Sequence, residues 1–122
     1  MFGYFFWNRK ELFRIEKVID IHYSKDGKRI LFSGVNKGRT DIYLYQVIGN
    51  NQEQLTDDVY DDINPRFIEN DTRIIFASNR NDDTLRTDTK GELTAINKDI
   101  FIYNLSTRSK ILERVTNTPK AD

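Results

Sequence analysis

The chain contains no cysteine and carries no excess of either charge. Nineteen basic and nineteen acidic residues balance among its 122 residues. Without cysteine, neither a disulfide scaffold nor a thiolate metal site can form, although the cellular compartment stays undecided. Because the charges cancel, no global electrostatic attraction draws the chain towards DNA, RNA or an anionic membrane surface. We therefore expect no nucleic-acid partner.

The short motifs of common catalytic and cofactor sites are also missing. The sequence has no Gly-x-Ser-x-Gly, no His-Glu-x-x-His and no glycine-rich loop that could cradle a phosphate. His22 is the only histidine. Without cysteine it cannot build a conventional zinc site, and without an activated nucleophile it cannot form a triad. We predict a chain that is not an enzyme and needs no cofactor or metal, in which His22 packs in the core or lines a channel.

Long apolar runs are absent as well. The apolar segment Met1 to Trp7 has no basic leader and no small-residue cleavage site, so a signal peptide is not expected. It is also far shorter than the about 20 residues that a transmembrane helix needs. We predict no membrane insertion. With 38% hydrophobic and 12% aromatic residues, the chain can nevertheless build one globular core.

The sequence does contain a repeat. Tyr23 aligns with Phe67, Ile30 with Ile74, and the flanking residues follow in the same order. Such a unit of about 40 to 60 residues is typical of propeller blades and helical solenoids. The matching segments are Asp20-Ile-His-Tyr-Ser-Lys-Asp-Gly-Lys-Arg-Ile-Leu-Phe-Ser33 with Asn64-Pro-Arg-Phe-Ile-Glu-Asn-Asp-Thr-Arg-Ile-Ile-Phe-Ala77, Thr40-Asp-Ile-Tyr-Leu-Tyr45 with Lys98-Asp-Ile-Phe-Ile-Tyr103, and Gln54-Leu-Thr-Asp57 with Arg114-Val-Thr-Asn117.

The apolar blocks of the repeat predict strands rather than helices. They are short and rich in β-branched and aromatic residues, and Gly or Asn lies between them. Asp26-Gly27 predicts a hairpin turn, since glycine tolerates positive φ and aspartate bonds nearby amides. Apolar residues at consecutive positions indicate sheets covered on both faces, as in stacked blades. The predicted strands A to D are 21–24, 29–33, 41–46 and 53–56 in the first repeat and 66–69, 73–78, 99–104 and 111–116 in the second.

These strands define an all-β chain of four-stranded antiparallel sheets, which we interpret as a partial β-propeller. Residues 1–17 are assigned to the second half of a preceding blade, with strands at 4–8 and 11–17. Residues 18–58 form the first complete blade. Residues 59–118 form the second, with an insertion at 79–92 between strands B and C, and 119–122 begin a further connection.

Three motifs resemble the blade repeat of the TolB family and its WD-repeat-like relatives. They are Tyr23-Ser-Lys-Asp-Gly-Lys28, Asp41-Ile-Tyr43 and Gln54-Leu-Thr-Asp57. The resemblance extends twice over most of residues 18–118. Lys25 replaces the usual proline, and Ile68-Glu-Asn-Asp71 replaces Ser-Pro-Asp-Gly. The resemblance implies a β-propeller, a periplasmic location and a non-catalytic protein-docking role in the cell envelope, of the translocation or envelope-integrity type.

The candidate site lies in the loops where the two repeats differ. In a propeller the D to A and B to C loops share one face, and surplus loop sequence is often functional. We predict a partner-binding surface there. The alternatives are a solvated acidic loop with internal hydrogen bonds and a cation site, although the Asp-x-Asp-x-Asp-Gly pattern of a calcium loop is absent. The predicted residues are Asp57, Asp58, Tyr60, Asp61 and Asp62, with Arg80 and Arg86 from the insertion.

Two functions follow as hypotheses. The first is a protein-interaction module that binds a protein or peptide partner. The alternative is an accessory gating propeller of a larger prolyl-oligopeptidase-type hydrolase, because such propellers carry similar repeats. Under either hypothesis, uncovered sheet faces and open edges at the two ends favour self-association.

Overall fold

Ten strands and no helix make up the described part of the chain. The computed structural model describes residues 3–7, 10–85 and 97–117, with side chains from Ile15 onward. The predicted all-β class is confirmed, and nothing in these ranges is a helix long and apolar enough to cross a bilayer. The strands are β1 (Gly3–Trp7), β2 (Lys10–Ile15), β3 (Lys17–Tyr23), β4 (Arg29–Asn36), β5 (Arg39–Gln46), β6 (Asn51–Gln54), β7 (Asp62–Ile68), β8 (Arg73–Ser78), β9 (Asp99–Asn104) and β10 (Glu113–Arg114).

The strands form one hairpin and two four-stranded sheets. The hairpin pairs β1 with β2, the first sheet has the order β3-β4-β5-β6, and the second sheet has the order β7-β8-β9-β10. All neighbouring strands are antiparallel. The prediction of two four-stranded antiparallel sheets is therefore confirmed.

Equivalent residues of the repeat occupy equivalent places in the two sheets. Phe32 pairs with Tyr43 in the first sheet, and Phe76 pairs with Phe101 in the second. The innermost strands β3 and β7 both shift register near their starts. The repeat in the sequence thus fixes strand order and also the register within each sheet.

The last predicted strand is shorter than expected. The sequence predicted 111–116, but only Glu113 and Arg114 form β10. Ile111 instead makes an isolated bridge with Thr84, and the Leu112 amide donates to the Asp83 carbonyl at 2.6 Å. The inserted loop after β8 therefore takes over the backbone groups that would have extended β10.

The main hydrophobic core lies between the two sheets. The first sheet contributes Leu31, Ile42 and Leu44, and the second contributes the stacked rings of Phe76 and Phe101, whose centroids are 6.1 Å apart. Each buried side chain of this size contributes roughly 1.5–3 kcal/mol relative to an exposed one. Burial of these alternating residues is what holds the sheets face to face.

A smaller core covers the opposite face of the first sheet. Ile15, at the end of β2, packs with Phe32 and Tyr43, whose rings stack 5.3 Å apart. Gly34 lies against this cluster, and a Cβ at its position would come within 3.0 Å of the Tyr43 ring. The absence of a side chain at Gly34 is what allows the hairpin and the first sheet to approach.

The two A to B turns meet at the other end of the sheets. In the first, Gly27 has a φ of 72° and Asp26 accepts hydrogen bonds from the Ser24 hydroxyl and the Lys28 amide. These bonds, the backbone bond first, lower the pKa of Asp26. The Lys25 amide donates to Asp71 of the second turn at 2.9 Å. The turns therefore link the sheets as well as closing their hairpins.

Candidate functional site

A buried ion-pair cluster joins the two loops in which the sequence placed the site. Arg80 follows β8, and its Nη2 lies 2.9 and 3.0 Å from the two carboxylate oxygens of Asp62. The same nitrogen lies 3.0 Å from Oδ2 of Asp58, in the loop that leads from β6 to β7. The Arg80 side chain is 0% exposed. The expected proximity of the D to A and B to C loops is therefore present.

The Arg80 guanidinium is held on every side. Its Nε donates to the Ser78 hydroxyl at 2.9 Å, and its Nη1 donates to the Thr84 carbonyl at 2.7 Å. The guanidinium carbon lies 5.3 Å from the centre of the Tyr60 ring and 5.9 Å from that of Phe76. Carboxylate pairing, further hydrogen bonds and ring contacts together compensate a buried guanidinium for its lost hydration.

A third carboxylate completes the cluster. Asp41 begins the buried part of β5, and its carboxylate lies with those of Asp58 and Asp62 so that one oxygen of each is within 4.8 Å of the others. All three residues are buried. The nearest donors to Asp41 are uncharged, namely the Thr56 hydroxyl at 3.3 Å and the Gln54 amide at 3.4 Å. The Arg80 guanidinium therefore pairs with two of the three carboxylates, those of Asp58 and Asp62, and Asp41 lies beside them.

Burial and mutual repulsion weaken the acidity of the cluster. Burial, followed by the charges of Asp62 and Asp58, raises the pKa of Asp41 to about 8. Burial and then Asp62 raise the pKa of Asp58 to about 6, against the opposing charge of Arg80. Burial also raises the pKa of Asp62, although Arg80 and hydrogen bonds oppose the shift. The raised pKa values mean that these carboxylates bind protons more tightly than exposed aspartates do.

The second sheet has an equivalent aspartate with a different neighbour. Asp99 accepts from the Thr116 hydroxyl at 2.9 Å, as Asp41 accepts from Thr56. In the second sheet, however, Arg114 places Nη1 3.0 Å from Asp99. Gln54 stands at the Arg114 position in the first repeat. A protein cation thus lies against Asp99, whereas an amide lies against Asp41.

The structure corrects the predicted partner-facing surface. Asp58, Tyr60, Asp62 and Arg80 are buried, so their side chains form an internal contact instead of an exposed one. The alternative, a solvated acidic loop with internal hydrogen bonds, holds in part: the loop does make internal hydrogen bonds, but these four residues are not solvated. Among the predicted residues, those with accessible side chains are Asp57, which is exposed, and Asp61, which is half-buried.

The two accessible aspartates also have partners. Asp57 pairs with Arg39 at 2.9 Å. Asp61 donates its amide to Asn79 at 2.9 Å and accepts weakly from the Thr40 amide at 3.4 Å. The remaining predicted residue, Arg86, lies outside the described residues. Sequence reasoning missed Asp41, although both repeats place an aspartate directly before an Ile-aromatic pair.

His22 joins the sheets near the opposite side of the core. Its Nδ1 accepts a hydrogen bond from the Phe67 amide at 3.0 Å, and the two rings lie 5.8 Å apart. The sequence predicted a packed or a channel-lining histidine, and the structure places His22 half-buried against β7. This hydrogen bond joins β3 to β7.

Comparison with known proteins identifies the fold. No protein-family model matches the sequence, and no curated protein matches it significantly. Among solved structures, TolB from Acinetobacter baumannii aligns with a TM-score of 0.61 and 17% identity, over 91% of this chain and 24% of that one. A putative TolB from Agrobacterium tumefaciens aligns with a TM-score of 0.56 and 19% identity, over 89% and 38%.

A tricorn protease aligns with a TM-score of 0.57 and 16% identity, over 81% of this chain and 8% of that one. Identities this low are evidence of a shared fold. The chain spans well under half the length of each of these structures. The fold is therefore that of β-propeller blades, and the chain is a partial propeller.

Proposed function

We propose that this chain is a non-catalytic protein-interaction module, a segment of a TolB-like propeller of the cell envelope. The observation that carries the proposal is the open apolar face of the second sheet. Ile75, Ala77, Ile100 and Ile102 alternate with fully buried residues and remain half-buried, and Val115 beside them is 50% exposed. An apolar sheet face of this kind marks an interaction site.

The repeat indicates what fits this face. The positions equivalent to Ile75 and Ile100 in the first sheet are Leu31 and Ile42, and both are buried in the core between the sheets. The open face of the second sheet therefore resembles, in its apolar residues, the face of the first sheet that packs against the second. Its partner is a protein that presents a blade-like sheet.

A second copy of the chain offers such a sheet. On the first sheet, Ile21 and Tyr23 are 50% and 57% exposed beside an apolar cavity of about 290 Å³ that Ile30 and Tyr45 also line. Phe67, the repeat equivalent of Tyr23, is buried in the core between the sheets. The part of this face around β3, which the hairpin leaves uncovered, thus complements the open face of the second sheet, which favours head-to-tail self-association.

The absence of catalysis is part of the proposal. Within the described ranges the one histidine accepts from a backbone amide, and the central carboxylates surround a buried arginine. Neither arrangement presents an activated nucleophile to solvent. We also propose a periplasmic location and a translocation or envelope-integrity role, because the blade motifs resemble those of the TolB family.

The alternative is an accessory propeller of a larger hydrolase of the prolyl-oligopeptidase type. The alignment with a tricorn protease favours it, because that structure belongs to a protease. A hydrolase domain in the same polypeptide would support the alternative. Peptidase turnover by the purified chain would contradict both functions, since each assigns the chain a non-catalytic role.

Sedimentation velocity over a concentration series tests the interaction module. We expect wild-type chain to self-associate and Ile75→Lys to remain monomeric, because a charge on the open face must be desolvated on docking. The matched control is Ile48→Lys, which alters a residue that is 76% exposed in the turn between β5 and β6. A wild-type chain that stays monomeric at high concentration, or equal behaviour of the two variants, would reject the open face as the interaction site.

A further inference from the structure

We infer that the cavity beside β3 is the docking pocket for Ile102 of a second copy of this chain, with Arg73 of that copy over the Tyr23 ring. The inference rests on the proposed function, because it assigns the residues that the head-to-tail contact uses. The cavity has a volume of about 290 Å³. Two of its lining residues, Ile21 and Tyr23, are 50% and 57% exposed. The other lining residues include Ile30, Phe32, Tyr45 and Gln52.

A buried amide in the cavity wall lacks a partner. Gln52 is 7% exposed, and among the described residues neither its side-chain nitrogen nor its side-chain oxygen has a hydrogen-bond partner. Unpaired buried polar groups cost free energy, so in native proteins they usually have a partner. The equivalent residue in the second repeat is Leu112, which needs no such partner and is buried in the core between the sheets. The unpaired amide therefore indicates that another surface completes this wall.

The second sheet shows what fills the equivalent space. Five residues that line the cavity have equivalents that are buried with Leu44 in one core. Leu44 belongs to the first sheet, and its own equivalent is Ile102, which is half-buried on the open face. A second copy that docks as the two sheets already do therefore brings Ile102 to the cavity. The five equivalent pairs are Tyr23 with Phe67, Ile30 with Ile74, Phe32 with Phe76, Tyr45 with Tyr103 and Gln52 with Leu112.

An arginine accompanies the aliphatic side chain in both places. Between the sheets, the guanidinium carbon of Arg29 lies 5.2 Å from the centre of the Phe67 ring. The equivalents of this pair are Arg73 and Tyr23. Arg73 and Ile102 line the same groove of the second sheet, so both can meet one docking partner. Carboxylates pair with a guanidinium in its plane, so the surface ion pairs of Arg73 are compatible with stacking on a ring.

The polar contacts between the sheets carry over less well. The Lys25 amide donates to Asp71 at 2.9 Å, but the equivalent of Asp71 is Gly27, which has no acceptor side chain. A contact between copies therefore depends on the apolar pocket and the ring. We expect reversible association that is weaker than the contact within the chain.

A mixing experiment with two charge variants tests the assignment by sedimentation velocity of the whole chain. Ile102→Lys places a charge on the open face, and Ile21→Lys places one in the cavity. Each variant alone should be monomeric, because docking would have to desolvate the charge. An equimolar mixture should form a dimer and nothing larger, since each variant keeps one intact face. Wild type, which has both faces, should form larger species.

The outcomes separate this inference from the proposed function. Ile21→Lys that associates as wild type does would overturn the cavity as the docking pocket and leave the open face as the interaction site. A mixture that stays monomeric where wild type associates would also overturn it. Both variants should melt at the wild-type temperature, since they alter accessible side chains, and Ile48→Lys should associate normally. A monomeric wild type would reject the proposed function, and this inference with it.

The ring contact has a test of its own. Tyr23→Phe keeps an aromatic face for Arg73 and should associate as wild type does. Tyr23→Leu keeps an apolar side chain but removes the ring, so it should weaken association by about two- to fivefold. Equal affinities of the two variants would show that Arg73 does not stack on this ring.

Discussion

The two sheets have the same repeat but differ in how their faces are covered. In the first sheet, consecutive residues at the centres of β4 and β5 are buried, because the hairpin covers one face and the second sheet covers the other. In the second sheet, β8 and β9 alternate between buried and half-buried residues. The repeat sequence sets register and apolar character, and the neighbouring layers decide burial.

The two sheets also differ in how the equivalent buried aspartates, Asp41 and Asp99, are neutralised. The second sheet neutralises Asp99 with Arg114 from its own outer strand. The first sheet instead places Asp41 beside Asp58 and Asp62, whose guanidinium partner, Arg80, comes from the second repeat. The aspartate of the second sheet is neutralised within its own sheet, whereas the carboxylates near Asp41 are neutralised only where the two sheets meet.

The largest effect should follow loss of the shared guanidinium. Arg80→Met leaves the buried carboxylates of Asp58 and Asp62 without their cation, so we expect about 3–5 kcal/mol of lost unfolding free energy in urea denaturation. Arg39→Met is the control, because it removes a partly exposed ion pair to Asp57 worth about 0–1 kcal/mol. Equal losses in the two variants would show that the buried cluster does not hold the sheets together.

The next prediction compares equivalent core positions. Leu31→Ala removes a fully buried side chain between the sheets and should cost about 2–5 kcal/mol. Ile75→Ala makes the equivalent change on the open face, where the side chain is only half-buried, so it should cost clearly less. Urea denaturation at a concentration where the chain is monomeric measures both. A cost for Ile75→Ala that matches Leu31→Ala would mean that the second sheet is covered in solution.

The sequence predicted the fold because the fold depends on local signals. Strand blocks and the Asp26-Gly27 turn specify each hairpin, and the repeat transfers the register from one sheet to the other. The extent of β10 escaped prediction, since Ile111 pairs with Thr84 of an inserted loop that has no counterpart in the first repeat. Pairing with an insertion depends on tertiary structure, which a repeat comparison does not contain.

The sequence predicted the location of the candidate site but not the burial of its residues. Sequence reasoning brought the loops of Asp58 and Arg80 to one face, and they do meet there. It expected charged loop residues to be exposed, because charges rarely lie in a protein interior without partners. The burial of Arg80 depends on Asp62 and on the Tyr60 ring, and the part played by Asp41 depends on β5 lying beside that loop.

A smaller difference in stability is expected between substitutions on the two faces of β4. Gly34→Ala would place a Cβ 3.0 Å from the Tyr43 ring and 3.3 Å from Ile15, so overpacking should cost about 1–3 kcal/mol. Ser33→Ala is the control on the opposite face. The Ser33 hydroxyl is buried without a hydrogen-bond partner, and the second repeat has Ala77 there. That change should be neutral or stabilising. Equal destabilisation of the two variants in urea would contradict the close approach of the hairpin.

The smallest expected effect comes from placing in the first sheet the arginine that neutralises the equivalent aspartate in the second. Gln54→Arg introduces at Asp41 the guanidinium that Arg114 supplies to Asp99, and it should raise the unfolding free energy by about 1 kcal/mol. Gln54→Met is the control, because it removes the amide contact to Asp41 without adding charge. If Gln54→Arg destabilises as much as Gln54→Met, the two sheets do not share an interchangeable aspartate site.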